Sequence, residues 1–280
     1  MTLYGPDLSN NNWHNTGEIA GWLDECFHRE GFAFMEHKVS EGSYYRDPFW
    51  PTVRDWCAAN DVPCIGYHYV TTNDANAQAQ TFVNNGGGPI AMFDFEANSG
   101  SINNFWAVVN AFNAHGVQVT LSYIPHWYWQ EIGSPDISRV PGLMSSSYYE
   151  RGTYASREYV DAGGDSGQGW NSYGGASPVI WQFSDAGIID GKSVDVNAFR
   201  GSLNDLLPLF GKQPEGFLMA LTDAEQAEVR DKVRYIYDQL GPGFDAWGAD
   251  GDLGKDAAGN RRTVRTFFAA LKTKLGLADG

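Results

Sequence analysis

Short apolar runs alternate with stretches of helical period through the first two hundred residues. The runs are Leu3 to Pro6, Phe32 to Met35, Val62 to Tyr67, Ile90 to Phe95, Val117 to Tyr123, Gly142 to Ser147 and Val179 to Phe183. Between them, Ile19 to Glu30, Pro48 to Asn60, Asn73 to Asn84 and Ile102 to His115 carry the pattern of amphipathic helices. Four strand-helix-strand crossovers of this kind predict a parallel sheet, such as that of a TIM-like α/β barrel. An open, doubly wound sheet has the same local pattern, so closure is an expectation that the pattern alone does not establish. Arg151 to Pro178, rich in Gly, Ser and Tyr, shows no clear period; it predicts a substrate loop or an irregular insertion.

The pattern changes after residue 210. Gly and Pro between Gly211 and Gly216 predict a linker over 211–221, and the chain then turns helical. Thr222 followed by Glu225 is a capping box, continued by Val229, Val233, Ile236 and Leu240 at helical spacing. A second helix is predicted through Val264, Phe267, Phe268, Leu271 and Leu275. The expected organisation is therefore a barrel over 1–210 and a small helical hairpin over 222–280. Such a hairpin is too small to be very stable alone, so it is expected to dock, bind a partner or self-associate. The acidic loop between its helices, with Asp250, Asp252 and Asp256, lacks several ligand positions of a calcium loop; no metal and no cofactor are expected.

Polar residues fall where these runs end. Asp7, Lys38, His68, Glu96, Tyr123 and Gln182 lie at or just past the C-terminal ends of apolar runs. In a parallel barrel those ends share one rim, and active sites form there. The strongest local signal is Pro89-Ile-Ala-Met-Phe-Asp94-Phe-Glu96, an apolar strand ending in two acids. Side chains two apart on a strand share a face, and crowding pushes one carboxyl to a higher pKa than the other. Cleaving a glycosidic bond needs such a pair, one group to protonate the leaving oxygen and one to stabilise the developing positive charge. Asp7 and Asp195 stand in similar contexts, the first after a short opening strand and the second before a closing one, where each also reads as an ordinary cap or turn residue. Glu36, two before Lys38 on the same face, is expected to form an ion pair with it inside the barrel.

Composition narrows the class. The formal charge of -15 disfavours nucleic acid and anionic membranes as partners, since both are bound through Lys and Arg. The acid is concentrated in residues 1–213, with 23 acidic and 10 basic side chains, against 11 and 9 in 214–280. Ten Trp residues suit sugar stacking and an aromatic core equally. Cys26, Cys57 and Cys64 match no zinc spacing and are expected to be reduced, mostly buried thiols. No basic stretch followed by an apolar run opens MTLYGPDLSN, so synthesis in a cytoplasm without a standard export signal is expected.

Several short motifs now line up in order. Asp7-Leu-Ser9, Lys38-Val-Ser40-Glu41-Gly42, Tyr45-Arg-Asp47-Pro48, Ile65-Gly66-Tyr67-His68-Tyr69, Asp94-Phe-Glu96, Trp181-Gln182-Phe183 and Val194-Asp195-Val196-Asn197 together resemble the GH25 muramidase family over about residues 3 to 200. The resemblance implies an irregular β/α barrel that hydrolyses the β-1,4 bond between N-acetylmuramic acid and N-acetylglucosamine of bacterial peptidoglycan, with retention. It implies Glu96 as general acid and then base, Asp94 orienting or stabilising the substrate's 2-acetamido group, and Asp7 and Asp195 completing an acidic floor. Tyr67, Tyr123 and Trp181 would shape the sugar subsites, with Lys38 and Gln182 as further substrate contacts on the rim. Two places depart from the family: Asn10-Asn11-Asn12-Trp13 after the opening motif, and Met144-Ser145-Ser146-Ser147-Tyr148 in place of a Trp-x-Ala-x-Tyr strand.

A chitinase-like glycosidase and an inactive barrel that binds wall sugars are the rival readings. The first requires an Asp where Met92 stands, and the second needs no strained cluster of acids. A zinc amidase is disfavoured because the six His residues form no ligand motif. A wall hydrolase without an export signal fits a phage endolysin, held in the host cytoplasm until the membrane is permeabilised, with the C-terminal helices binding cell wall or self-associating.

Overall fold

The computed structural model of the chain describes residues 2–149, 152–213 and 222–240. The chain divides into two compact units, residues 1–214 and 215–280. In the first unit the strands are β1 (Thr2–Leu8), β2 (Met35–Glu41), β3 (Tyr45–Arg46), β4 (Cys64–Tyr69), β5 (Ile90–Asp94), β6 (Gln118–Tyr123), β7 (Leu143–Ser146), β8 (Ile180–Ile189) and β9 (Lys192–Arg200). The helices are α1 (Ile19–Asp24), α2 (Trp50–Ala59), α3 (Ala75–Asn84), α4 (Ile102–Ala114), α5 (His126–Glu131), α6 (Ala155–Asp161) and α7 (Leu203–Leu206).

The sheet closes. Parallel pairing runs β1, β2, β4, β5, β6, β7, β8, and β9 lies antiparallel between β8 and β1, while β3 is an extra strand hairpinned onto β2. The fold is thus an irregular (β/α) barrel of eight strands, one of them reversed. The reversal comes from Asp190 and Gly191, both at positive φ (45° and 72°), which turn β8 directly into β9 as a two-residue hairpin. Glycine is needed again at Gly5 on β1, where an added Cβ would lie 2.3 Å from the Phe34 ring.

Alternation along each strand sorts the side chains. Phe34, Ile65, Met92, Leu121, Ile180 and Phe199 fill the interior, and Phe210, whose ring lies 5.5 Å edge-on to Phe34, belongs to the same apolar cluster. The opposite parity faces the helices. Phe93 and Phe95 of the β5 segment meet Phe105 and Phe112 of α4 in edge-to-face contacts, the tightest being Phe93 to Phe112 at 4.7 Å. Such pairs are the preferred aromatic geometry and add directional packing to the burial itself. Cys26, just past α1, and Cys57, on α2, are buried in this outer layer, and all three thiols are free.

Four sequence expectations change. The second strand is displaced from Phe32–Met35 to Met35–Glu41, because its inward positions near the rim are Glu36 and Lys38 and hide the apolar run. The helix beginning at Ile19 continues past Asp24 as a π-helical turn, Glu25–Arg29. The segment read as irregular contains α6 and two short 3-10 turns, Gly164–Ser166 and Gln168–Trp170. The closing strand beyond the seven runs, expected after Asp195, is the antiparallel β9, which begins at Lys192 and takes Asp195 in.

In the second unit, helix α8 (Asp223–Leu240) begins at the expected capping box: the Thr222 backbone N–H donates to Glu225 Oε2 (2.8 Å) and the Glu225 N–H to Thr222 Oγ1 (3.3 Å). The predicted helix through Val264 to Leu275 and the acidic loop at Asp250 to Asp256 lie outside the described residues. Among the described residues no helix is long and apolar enough to cross a membrane.

Candidate active site

The inward-facing positions at the C-terminal ends of the strands form one mouth. Asp7 stands beside Asp195 across the β1–β9 pairing and beside Glu36 across the β1–β2 pairing. Asp94 ends β5, and Glu96 follows two residues later, outside the strand. The turn after it is fixed: Ser99 Oγ accepts the Glu96 N–H (3.1 Å) and donates to the Val70 carbonyl (2.6 Å), while Tyr69 donates to the Ala97 carbonyl (2.7 Å). The four sequence-predicted acids therefore share one rim, and each feels at least one of the others.

Their electrostatics follow from that crowding. Burial raises Asp7 well above the ordinary carboxylate range, and Glu36, Asp195 and Asp94 push it further. Burial also raises Asp94, with Glu96 adding, and raises Glu96 itself. Asp195 is pushed up to about 7 by burial, then by Asp185 and Glu96. Lys38 opposes these shifts in Asp7, Asp94 and Glu96. Shifts in this direction favour the protonated form, which is what a carboxylic acid needs in order to donate a proton.

The polar side chains around the acids are linked. Gln182 Nε2 donates to Asp7 Oδ2 (3.3 Å), Tyr148 OH donates to Gln182 Oε1 (2.8 Å), and the Tyr123 and Tyr148 hydroxyls lie 3.0 Å apart. Tyr67 faces the same space, with the Lys38 ammonium 5.9 Å from its ring centroid and 5.1 Å from that of Tyr69. Lys38, Tyr67, Tyr123 and Gln182 are thus brought to the mouth.

Trp181 is not. It is fully buried on the opposite face of β8, edge-on to Trp170 and Phe183 and tilted against Tyr159, with its indole N–H on the Ser147 carbonyl (3.1 Å). His68 likewise faces outward, between Ser40 (2.8 Å) and Gln78 (3.1 Å), and burial lowers its pKa to about 4, so it is a neutral packing residue. Asp47 also serves structure, accepting the backbone N–H groups of Asn10 (2.7 Å) and Phe49 (2.9 Å).

The expected Glu36 to Lys38 ion pair does not form. Lys38 extends over the tyrosines and pairs with Glu41 Oε2 (3.2 Å), while Glu36, with no exposed surface, accepts the Asn197 amide (2.6 Å). Burial lifts Glu36 to about 8. Tyr148, Glu41 and Asn197 join the site although the motifs that contain them give them no role; Asn197 shares strand parity with Asp195, whereas the register shift between Lys38 and Ser40 sets Glu41 out of parity with Glu36 and Lys38, and Tyr148 follows the end of β7.

A closed barrel with clustered carboxyl groups of raised pKa at its C-terminal rim is the equipment of a glycoside hydrolase. Residues 9–192 match the family model of glycosyl hydrolases family 25, and the chain belongs to that family. Residues 221–277 match a second family, the Rv3766 C-terminal domain. Among solved structures, the bacterial lysozyme from Streptomyces coelicolor is 21% identical, with 74% of this chain and 96% of that one covered and a TM-score of 0.57. The catalytic domain of endolysin ply40 from bacteriophage P40 of Listeria monocytogenes is 19% identical, covering 76% and 98%, with a TM-score of 0.56. A family GH25 lysozyme from Aspergillus fumigatus is 20% identical over 77% and 100%, with a TM-score of 0.54. At these identities the likeness is one of fold. No curated protein matches the chain.

Proposed function

We propose that this chain is a muramidase that hydrolyses the β-1,4 bond between N-acetylmuramic acid and N-acetylglucosamine in bacterial peptidoglycan, with retention, and that it serves a phage as an endolysin. The observation that carries the reading is the meeting of Asp7, Asp94, Glu96 and Asp195 at one barrel mouth in a family 25 chain. Glu96, at the open tip of the β5 segment, protonates the leaving oxygen in this reading and afterwards takes a proton from water. Asp94, deeper on the same face, orients the 2-acetamido arm or steadies the charge that develops beside it. Asp7 and Asp195 form the floor, and Lys38, Tyr67, Tyr123 and Gln182 hold the sugars. The likeness to the Listeria phage endolysin supports the lytic role, which places the enzyme at the wall once the membrane is permeabilised.

The test uses purified cell walls. Glu96→Gln should reduce release of reducing ends by roughly 10²- to 10⁴-fold, the usual contribution of a positioned acid-base group, while wall binding stays near that of the parent. Undiminished release by the variant would assign the acid elsewhere. Release of free amino groups in place of reducing ends would make the chain an amidase or peptidase.

A further inference from the structure

One layer below the rim the barrel encloses a further acid. Phe34, Glu36 and Lys38 are successive inward positions leading along β2, so Glu36 lies between the apolar interior and the mouth, with no exposed surface. Its neighbour on β4 is Ile65 and its neighbour on β1 is Asp7, and neighbouring positions of paired strands turn their side chains to the same face. Asn197, on the other side of β1, reaches it from β9 and donates its amide to Glu36 Oε2 (2.6 Å).

Among the described residues no cation pairs with this carboxyl. Lys38, the basic group on its own strand, is turned to Glu41 and lies over the rings of Tyr67 and Tyr69. The other titratable groups around Glu36 are acids and a thiol: Asp7 on β1, on which Asp195 of β9 and Asp94 of β5 also act, and Cys64 at the start of β4. Glu36 Oε1 has no hydrogen-bond partner among the described residues, and neither has Asn197 Oδ1. A buried carboxylate with one neutral amide for company is costly, whereas a proton removes the charge and gives Oε1 a hydrogen to donate. Burial accordingly lifts Glu36 to about 8. Asp7 is raised by its own burial and then by Glu36, the largest of the like charges that act on it, so the two carboxyls do not ionise independently.

We propose that Glu36 is a positioning residue: with Asp7 it forms a carboxyl pair that keeps a proton at the catalytic floor. The proposal rests on the muramidase reading for the reaction that Asp7 serves. Glu36 is enclosed and touches no sugar, so it acts through Asp7. A charge on Glu36 opposes a charge on Asp7 and holds the proton there, and a neutral side chain in its place lets Asp7 ionise at lower pH. The direction is the same whichever state of Asp7 the reaction uses. If Asp7 works charged, the acid limb of the rate profile moves to lower pH when Glu36 is neutralised; if it works protonated, the alkaline limb does.

The experiment follows the Asp carboxyl groups of the full chain by carbon NMR through a pH titration, with the Asp7 signal identified by its loss in Asp7→Asn. In the parent chain that signal should move in two steps, as it does for one member of an interacting pair. In Glu36→Gln, which keeps an acceptor for the Asn197 amide, and in Glu36→Leu, which suits the apolar layer below, the Asp7 midpoint should fall by about one pH unit or more. Melting temperatures identify the variants that fold. A single step in the ordinary Asp range in the parent, or an unmoved midpoint in a folded variant, would overturn the pair. Release of reducing ends from purified walls, followed across the same pH range, is the second readout, and one limb of its profile should move to lower pH in the same variants. A parent that cleaves no wall at any pH, with the Asp7 titration still sensitive to Glu36→Gln, would sink the muramidase reading and leave the pair standing.

Discussion

At the scale of single residues, Glu36 is the group whose protonation matters most beyond the rim. Glu36 Oε1 and Asn197 Oδ1 are buried acceptors with no hydrogen-bond partner among the described residues. A proton on Glu36 supplies the missing donor, in keeping with its pKa near 8. The sign follows from linkage: a carboxyl raised on folding contributes stability that is fully present below its unfolded pKa of about 4.3 and is lost as pH rises through the folded value. Gln resembles the neutral acid and does not titrate. Wild type should therefore lose stability relative to Glu36→Gln between pH 5 and pH 8, by up to about 1.4 kcal/mol per pH unit. Urea denaturation of both proteins across that range measures it, and parallel curves would show that Glu36 is ionised in the fold. Asp7, Asp94 and Glu96 are legible in the sequence because they lie at the ends of apolar runs, whereas Asp195 lies within β9, beyond those runs, and is marked only by the motif Val194-Asp195-Val196-Asn197. Trp181 as a subsite residue conflicts with a rule the sequence itself offers: adjacent strand residues face opposite sides, so Trp181 and Gln182 do not both reach one mouth.

At the scale of elements, six of the seven apolar runs coincide with strands, because both faces of a barrel strand are buried, and the run Phe32 to Met35 only leads into β2. The elements that are hard to read rest on weaker signals. Ser184 to Gly187 interrupts the apolar run of β8, where the β8–β9 register also shifts, and so conceals its full length to Ile189. The Asp190-Gly191 pair that turns it into β9 is nevertheless readable as a hairpin signal. Helix α6 has only seven residues, two turns, too few to establish a period. The two special glycines separate conformational from steric cost. Gly191 has φ +72° and open space where a methyl group would stand, so Gly191→Ala should cost about 1 kcal/mol through backbone strain alone. Gly5→Ala places its methyl 2.3 Å from the Phe34 ring and 2.6 Å from the Phe34 carbonyl, and overpacking of that kind costs about 1–3 kcal/mol. Urea midpoints should order the two variants with Gly5→Ala the less stable; the reverse order would mean that the Phe34 ring yields easily.

At the scale of the whole molecule, charge and chain organisation point to a division of labour. The family 25 match ends at residue 192, and the barrel closes on itself through β9 and β1, so residues 221–277, which match a different family, are not needed to complete it. Residues 1–213 carry more than twice as many acidic as basic side chains, whereas 214–280 are nearly balanced. An anionic wall repels the first part over a Debye length of about 8 Å at physiological salt, so a linked module that adheres would offset that repulsion. Linking two binding modules raises avidity by roughly 10² or more without any new contact at the catalytic site. Deleting residues 214–280 should then weaken co-sedimentation with intact walls by on the order of a hundredfold, while cleavage of soluble wall fragments changes little. The deficit should shrink as salt is raised, because screening relieves the barrel's repulsion whether or not the second module is present. Equal co-sedimentation with and without these residues would remove the anchor role and leave self-association, measured by sedimentation of the two chains, as the function of the second unit.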